Sequence, residues 1–425
     1  MVDNEGSTVR LIRHTLRGYL VDQRSLFQSP HSVIAETCLT YLNSQRIMAL
    51  SDSGVQSIPN LPFLEYSALY WGVHIKNQLT DVGKALALKL FSHYQYHISI
   101  RPLLEHMIDR DPPLPDIGFC KFTGLHFASV FGLVEIARSL TMMGGTDINE
   151  ADETGATPLL WAAMKGHEAM VELLLGRQEV DPNRPDDSRQ TPILWASKNG
   201  NYAVVKLLLG REDVDPDRLD SVDRAPISWA AENGHEAVVG LLLGWNGVNP
   251  DKLDRGGRTP ILPAAQNGHV GVVKLLLGRV DISLDREDNW GRTPIFLAAM
   301  NGHEGVVRLL LGRVDVNPDR QDNWGRTPIL LAAADGHEGV VKLLLGRADV
   351  KPDRQDKWGN TPILLAAMNG HEGVVKLLLG QKDVNLNRLD TQGRTPVSWA
   401  AYYGHEAMVQ LFHAQQDANS GMPDA

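Results

Sequence analysis

Between Trp324 and Lys357 the apolar residues fall into two short blocks, Ile329 to Ala334 and Val340 to Leu345, followed by the mostly polar GRADVKPDRQDK. The same alternation repeats on both sides. Its Thr-Pro step recurs at Thr157, Thr191, Thr259, Thr293, Thr327, Thr361 and Thr395, with Ala225-Pro226 in the one gap, always 34 residues apart. A fixed period of this length predicts a solenoid. Within one unit, Thr327 is placed to cap a first helix whose first position is Pro328, where a missing N–H costs nothing. The alanines after it let the next unit approach closely. Gly336 supplies a left-handed stop, a second helix spans Glu338 to Leu345, and Gly346 ends it. The segment from Arg347 to Asn360 carries Asp, Pro and Gly at turn positions and is expected to protrude as a hairpin-like finger.

The pattern T-P-[IL]-x-x-A-A-x-x-G-H-x-x-V-V-x-L-L-L resembles the ankyrin consensus through the whole array. The resemblance implies an all-α ankyrin-repeat solenoid, with a concave face that binds protein. Two features depart from that family: the period is 34 rather than 33, with the extra residue placed in GRVDVNPDRQD (312–322), and the histidine of its TPLH motif is replaced, by Leu or Ser in each unit from Thr157 on but that of Phe296. Counting back 34 from Thr157 reaches Thr123, where TGLHFASVFGLVEIARSL reads as a degenerate first unit (123–156) that keeps the histidine as His126. This gives a repeat domain over 119–413 with nine units, the last incomplete. End units need covers for their apolar faces. The first can lean on the preceding helices, and Tyr402, Tyr403, Gln410 and His413 give the last one a solvent-facing side. Residues 414–425, polar from Gln415 on, read as a disordered tail.

Residues 1–118 show helical periodicity. Helices are expected from Ser29-Pro30, from about Pro62, from Asp81 and after Ser99, separated by SDSGVQSIPN (51–60) and RDPPLPD (110–116). The strings HTLRGYL (14–20), SPHSVIAETCLTYLN (29–43), PFLEYSALYWGVH (62–74) and ALALKLFSHYQYHIS (85–99) resemble the helical region after the NACHT domain of fungal NACHT-ankyrin proteins, the NLR-like STAND group. That resemblance implies the recognition half of a sensor. A nucleotide-binding P-loop needs G-x-x-x-x-G-K-[ST], whereas the Gly83-Lys84 pair is followed by Ala85, so the family's NTPase activity does not carry over. A stand-alone scaffold or substrate adaptor is the alternative.

Charge narrows the partners. Residues 119–425 hold 31 Lys and Arg against 40 Asp and Glu, which is the opposite of a nucleic-acid footprint. The two cysteines, Cys38 and Cys120, cannot make a disulfide framework. The polar N-terminus lacks an apolar signal core, and no apolar run is long enough for a bilayer. An intracellular protein of the cytoplasm or nucleus, monomeric and free of membrane, is expected.

Periodic residues are poor candidates for a unique active site. His167, His235, His269, His303, His337, His371 and His405 recur in register, but units about 8–10 Å apart cannot share an ion whose ligands lie at about 2.0–2.1 Å. They read as structural donors in the helix-helix turn. No metal or cofactor motif and no nucleophile-base-orienter set is visible, so the chain reads as non-catalytic. The fingers are the candidate site. Trp290, Trp324 and Trp358 share one position, with Arg292, Arg326 and Asn360 two residues on and Arg224, Arg258 and Arg394 in the same row. Trp and Arg are enriched in binding hot spots. With the residues after the Ala-Ala pair, Met300, Ala334, Met368 and Tyr402, they make a candidate partner-binding face from unit five to unit nine. Packing of each Trp on its neighbour's finger is an equal alternative. A second row, Trp161, Trp195, Trp229 and Trp399, is expected to be core. Arg189 and Asp223 replace the finger glycine, so their fingers are expected to differ in shape, Arg189 more than Asp223.

Overall fold

The computed structural model describes residues 30–52, 61–92, 94, 97, 99, 100, 103, 121–143 and 147–420. Among them there are helices and no strands. The chain forms two compact units, Met1–Ala196 with Ala203–Val214, and Ser197–Tyr202 with Asp215–Ala425.

The first unit opens with α1 (Pro30–Leu42), α2 (Gln45–Asp52), α3 (Pro62–Asn77) and α4 (Asp81–Phe91). Helix α2 is absent from the expected helices, because the eight residues of QRIMALSD span only about two turns, too few to establish a helical period. Helix α1 packs against α3 and α4. Thr80 caps α4 through Gly83 N at 2.9 Å and donates to Glu36 of α1 at 2.5 Å. Buried His97 donates Nε2–H to Leu42 O at 3.1 Å, and its Nδ1 accepts from Ser99 N at 3.2 Å and lies 2.7 Å from Ser99 Oγ. Of the expected fourth helix only Ile100 and Leu103 are described, both helical and buried, and HTLRGYL, RDPPLPD and Cys120 lie outside the described residues.

The first repeat, α5 (Gly124–Phe131) and α6 (Val134–Met142), rests on this module. Trp71 of α3 stacks on Phe127 with centroids 4.5 Å apart, and Phe91 and Tyr94 close around the same ring. Gly124 is required there, since a Cβ would lie 2.5 Å from Phe91. His126 closes a capping box with Thr123 and reaches Ala156 O at 3.1 Å; burial lowers its pKa. The second repeat follows as α7 (Pro158–Lys165) and α8 (Glu168–Leu175).

The later repeats supply helix pairs α9 (Pro192–Lys198) and α10 (Tyr202–Leu209), α11 (Pro226–Glu232) and α12 (Glu236–Leu243), α13 (Ile261–Gln266) and α14 (Val270–Leu277). After these come α15 (Pro294–Met300) and α16 (Glu304–Leu311), α17 (Pro328–Ala334) and α18 (Glu338–Leu345), α19 (Pro362–Asn369) and α20 (Glu372–Leu379), α21 (Pro396–Tyr402) and α22 (Glu406–Ser420). Thr327 accepts from Leu330 N at 3.3 Å, and Thr293, Thr361 and Thr395 cap their helices in the same way. The periodic histidines join successive units. His303, His337 and His371 bond Gln266 O, Met300 O and Ala334 O at 2.9, 3.1 and 2.9 Å, each in the preceding repeat. Each ring lies over the left-handed glycine of that repeat; a Cβ on Gly336 (φ +76°) would sit 2.5 Å from His371 Nδ1.

Two expectations need correction. Helix α22 continues to Ser420 through the expected tail, because nothing in AQQDANS breaks a helix before Gly421. Arg189 and Asp223 adopt the same left-handed conformation as the finger glycines (φ 60° and 62°), so their fingers keep the common backbone. The hairpin bonds Arg189 N to Asp186 O and Asp223 N to Asp220 O hold that conformation against its steric cost.

Candidate partner-binding face

Each finger, numbered with the helix pair that follows it, is built around one aspartate. In unit six, Asp288 Oδ1 accepts the backbone N–H groups of Trp290 and Arg292 at 3.0 and 2.9 Å, and Gly291 makes the turn at φ 78°. Its Oδ2 accepts Arg292 Nε at 2.8 Å and Nη2 at 2.7 Å, with the carboxylate side chain wholly buried. Unit seven repeats this with Asp322, where Arg326 Nε and Nη2 approach at 2.7 and 2.6 Å. Each guanidinium also covers its own unit's indole, with Cζ 4.7 Å from the Trp290 and Trp324 rings.

Arg292 and Arg326, expected to meet a partner, thus lie between a buried carboxylate and an indole face of their own finger, with 21% and 28% of their side chains exposed. Arg258 likewise pairs with Asp254 at 2.8 Å. In unit eight Asn360 donates to Asp356 Oδ2 at 3.0 Å instead. Arg394 in unit nine lies over Trp399 and Tyr402, at 4.2 and 5.0 Å.

The second tryptophan row supplies the same bond from the helix. Trp161, Trp195, Trp229 and Trp399 donate Nε1–H to Asp152, Asp186, Asp220 and Asp390 at 2.8, 3.0, 2.9 and 2.7 Å. Trp161 and Trp399 are buried and the other two half-buried. Packing explains why these rings are large. The constant nine-residue offset from the finger Asp was the signal for the hydrogen bond, and reading the row as apolar core missed it.

The finger tryptophans are held in a row. Asn323 N donates to Trp290 O at 2.9 Å, Lys357 N to Trp324 O at 3.0 Å and Thr391 N to Trp358 O at 3.0 Å. Trp290 and Trp358 are 45% and 48% exposed, so neither is packed away under a neighbouring finger; Trp324 is half-buried. Met300 and Met368 are half-buried at the ends of α15 and α19, while Tyr402 is 69% exposed at the end of α21. Tyr402 and Tyr403 both pack on Trp399, edge-on at 5.8 Å and stacked at 5.6 Å.

The loop after each second helix carries an inter-unit clamp. Arg347 pairs with Asp349 and reaches back to Leu311 O at 2.9 Å, at the end of α16, where a cation meets the helix dipole favourably. Arg279 and Arg313 do the same. Arg354 and Arg388 bond Asp319 and Asp353 of the preceding unit at 2.6 and 2.7 Å. Burial pushes these two carboxyls up, against the pull of the arginines.

Burial pushes the Cys38 thiol up to about 11, which keeps it protonated and unreactive at neutral pH. Among the described residues no group of three or more His, Cys, Asp or Glu is placed to hold a metal ion, and no helix is long and apolar enough to cross a membrane.

Stacked helix pairs with left-handed glycine turns and Asp-centred fingers define a repeat scaffold of the kind that displays a binding face. The family model for ankyrin repeats matches residues 125–220, 194–288, 227–322, 279–356 and 331–422. The chain belongs to the ankyrin-repeat family, whose repeats are generally protein-protein interaction modules. No match is found among curated proteins.

Proposed function

We propose that the array binds a protein partner through the finger face of units five to nine and performs no reaction on it. The supporting observation is the row of indoles at Trp290, Trp324 and Trp358, held in register by finger-to-finger backbone bonds with Trp290 and Trp358 open to solvent. Met300, Met368 and Tyr402 extend the face at the helix ends. Arg292 and Arg326 serve it by fixing the indoles, while Arg394 braces Trp399 and Tyr402. Replacing all three finger tryptophans by Ala is expected to abolish partner capture. Unchanged capture by the folded triple variant rejects the proposal.

The finer reading places this array in the recognition half of an NLR-like STAND sensor whose NTPase lies elsewhere. Its support is the resemblance carried by 14–20, 29–43, 62–74 and 85–99. A Walker motif in frame upstream of Met1 is expected on this reading, and its absence favours a stand-alone scaffold or adaptor. Such a sensor also requires the partner to bind its two states unequally. A monomer acting in the cytoplasm or nucleus fits both readings, checked by light scattering and by imaging the tagged protein.

A further inference from the structure

We infer that the finger of unit eight receives an arginine side chain from the protein partner, stacked on Trp358; this rests on the finger face being the partner site and adds the chemistry that docks there. The same molecule shows twice what this type of finger holds. In units six and seven a guanidinium lies 4.7 Å over the indole and bonds the finger aspartate through Nε and Nη2. Unit eight keeps the tryptophan, the left-handed Gly359 (φ 77°) and the aspartate, with Asp356 Oδ1 accepting Trp358 N and Asn360 N at 2.9 and 2.8 Å. It differs in the cation. Asn360 stands at the arginine position and its short amide ends at Asp356 Oδ2.

Three consequences follow. No cation of the described residues lies over the Trp358 ring, which is 48% exposed. Asp356 Oδ2 accepts one neutral amide where Asp322 Oδ2 accepts two guanidinium N–H groups, so its negative charge is less offset. Because Asn360 gives its Nδ2 to Asp356, its carbonyl Oδ1 is turned away as a further acceptor. An aromatic face, an acceptor and an under-compensated carboxylate match a planar guanidinium better than a compact ammonium. The net negative charge of the array favours a cationic segment in general. Lys357, exposed and adjacent to Trp358 in the chain, adds a positive charge that opposes it locally.

The test titrates the full chain with the capped peptide Gly-Gly-Arg-Gly-Gly and its lysine and citrulline counterparts, following the indole N–H resonances. A single stacked cation with one hydrogen bond gives weak binding, on the order of tens of millimolar. The arginine peptide is expected to shift the Trp358 resonance saturably and several-fold more than those of Trp290 and Trp324, with lysine weaker and citrulline weakest. Asn360→Arg should fill the position in cis and remove the response, and Lys357→Gln should strengthen it. Equal shifts at all three indoles, equal binding of citrulline, or an undiminished response in Asn360→Arg would each overturn the inference. If this titration fails while the triple Trp→Ala variant loses its partner, the finger face stands and only its arginine chemistry falls. Partner capture that survives the triple replacement removes both.

Discussion

Replacing Arg326 by Leu or by Asn separates a guanidinium that holds the finger from one held ready for a partner. In the native finger Arg326 gives two bonds to Asp322 Oδ2, at 2.7 and 2.6 Å, and covers Trp324. Asp322 has no exposed side-chain surface, so Arg326→Leu leaves a buried carboxylate held only by the N–H groups of Trp324 and Arg326 itself. Losing charge-assisted bonds to a buried acid costs about 2–3 kcal/mol, and the stacking adds about 0.5–1 kcal/mol. Asn at this position has a precedent in the same chain, where Asn360 satisfies Asp356 at 3.0 Å. Arg326→Asn should therefore cost about half as much as Arg326→Leu. Urea unfolding followed by circular dichroism gives the midpoints. Because a repeat array need not unfold in two states, hydrogen exchange at the Trp324 and Arg326 amides supplies the local readout. Both variants falling within about 0.5 kcal/mol of the parent, with those amides unchanged, would refute the structural role and return Arg326 to the list of free contacts.

The glycines separate by conformation. Gly336→Ala is expected to cost about 1–2 kcal/mol from its left-handed φ, and more from collision with His371, whereas Gly339→Ala should gain about 0.5–1 kcal/mol because its Cβ meets only the movable end of Glu304. Equal effects on the urea midpoint would contradict this. His97 is pushed by burial from 6.5 down to about 4, so below pH 6.5 the unfolded chain takes up a proton that the folded one refuses. Its contribution is present above pH 6.5 and lost as the pH falls toward 4, at about 1.4 kcal/mol per pH unit; His97→Gln should flatten stability against pH in that window. Arg189→Gly should raise stability by up to about 1 kcal/mol by relieving its φ of 60°, and a lower thermal midpoint would count against it.

The sequence by itself determined the repeat, because its signals are local. Thr327 caps a helix three residues away, Pro328 suits the first helical position, and Gly336 takes a conformation that other residues avoid. None of these needs knowledge of the neighbouring unit. The partner of each periodic histidine, 37 residues away, followed once the units stacked. Tertiary structure alone decided which polar side chains were already committed. Whether Arg292 faces a ligand or its own finger depends on the burial of Asp288, and Trp399 reads as plain core until the finger brings Asp390 Oδ2 within 2.7 Å of its N–H. A periodic pattern fixes where a side chain stands; only the folded neighbourhood fixes how much of its bonding capacity remains for a partner.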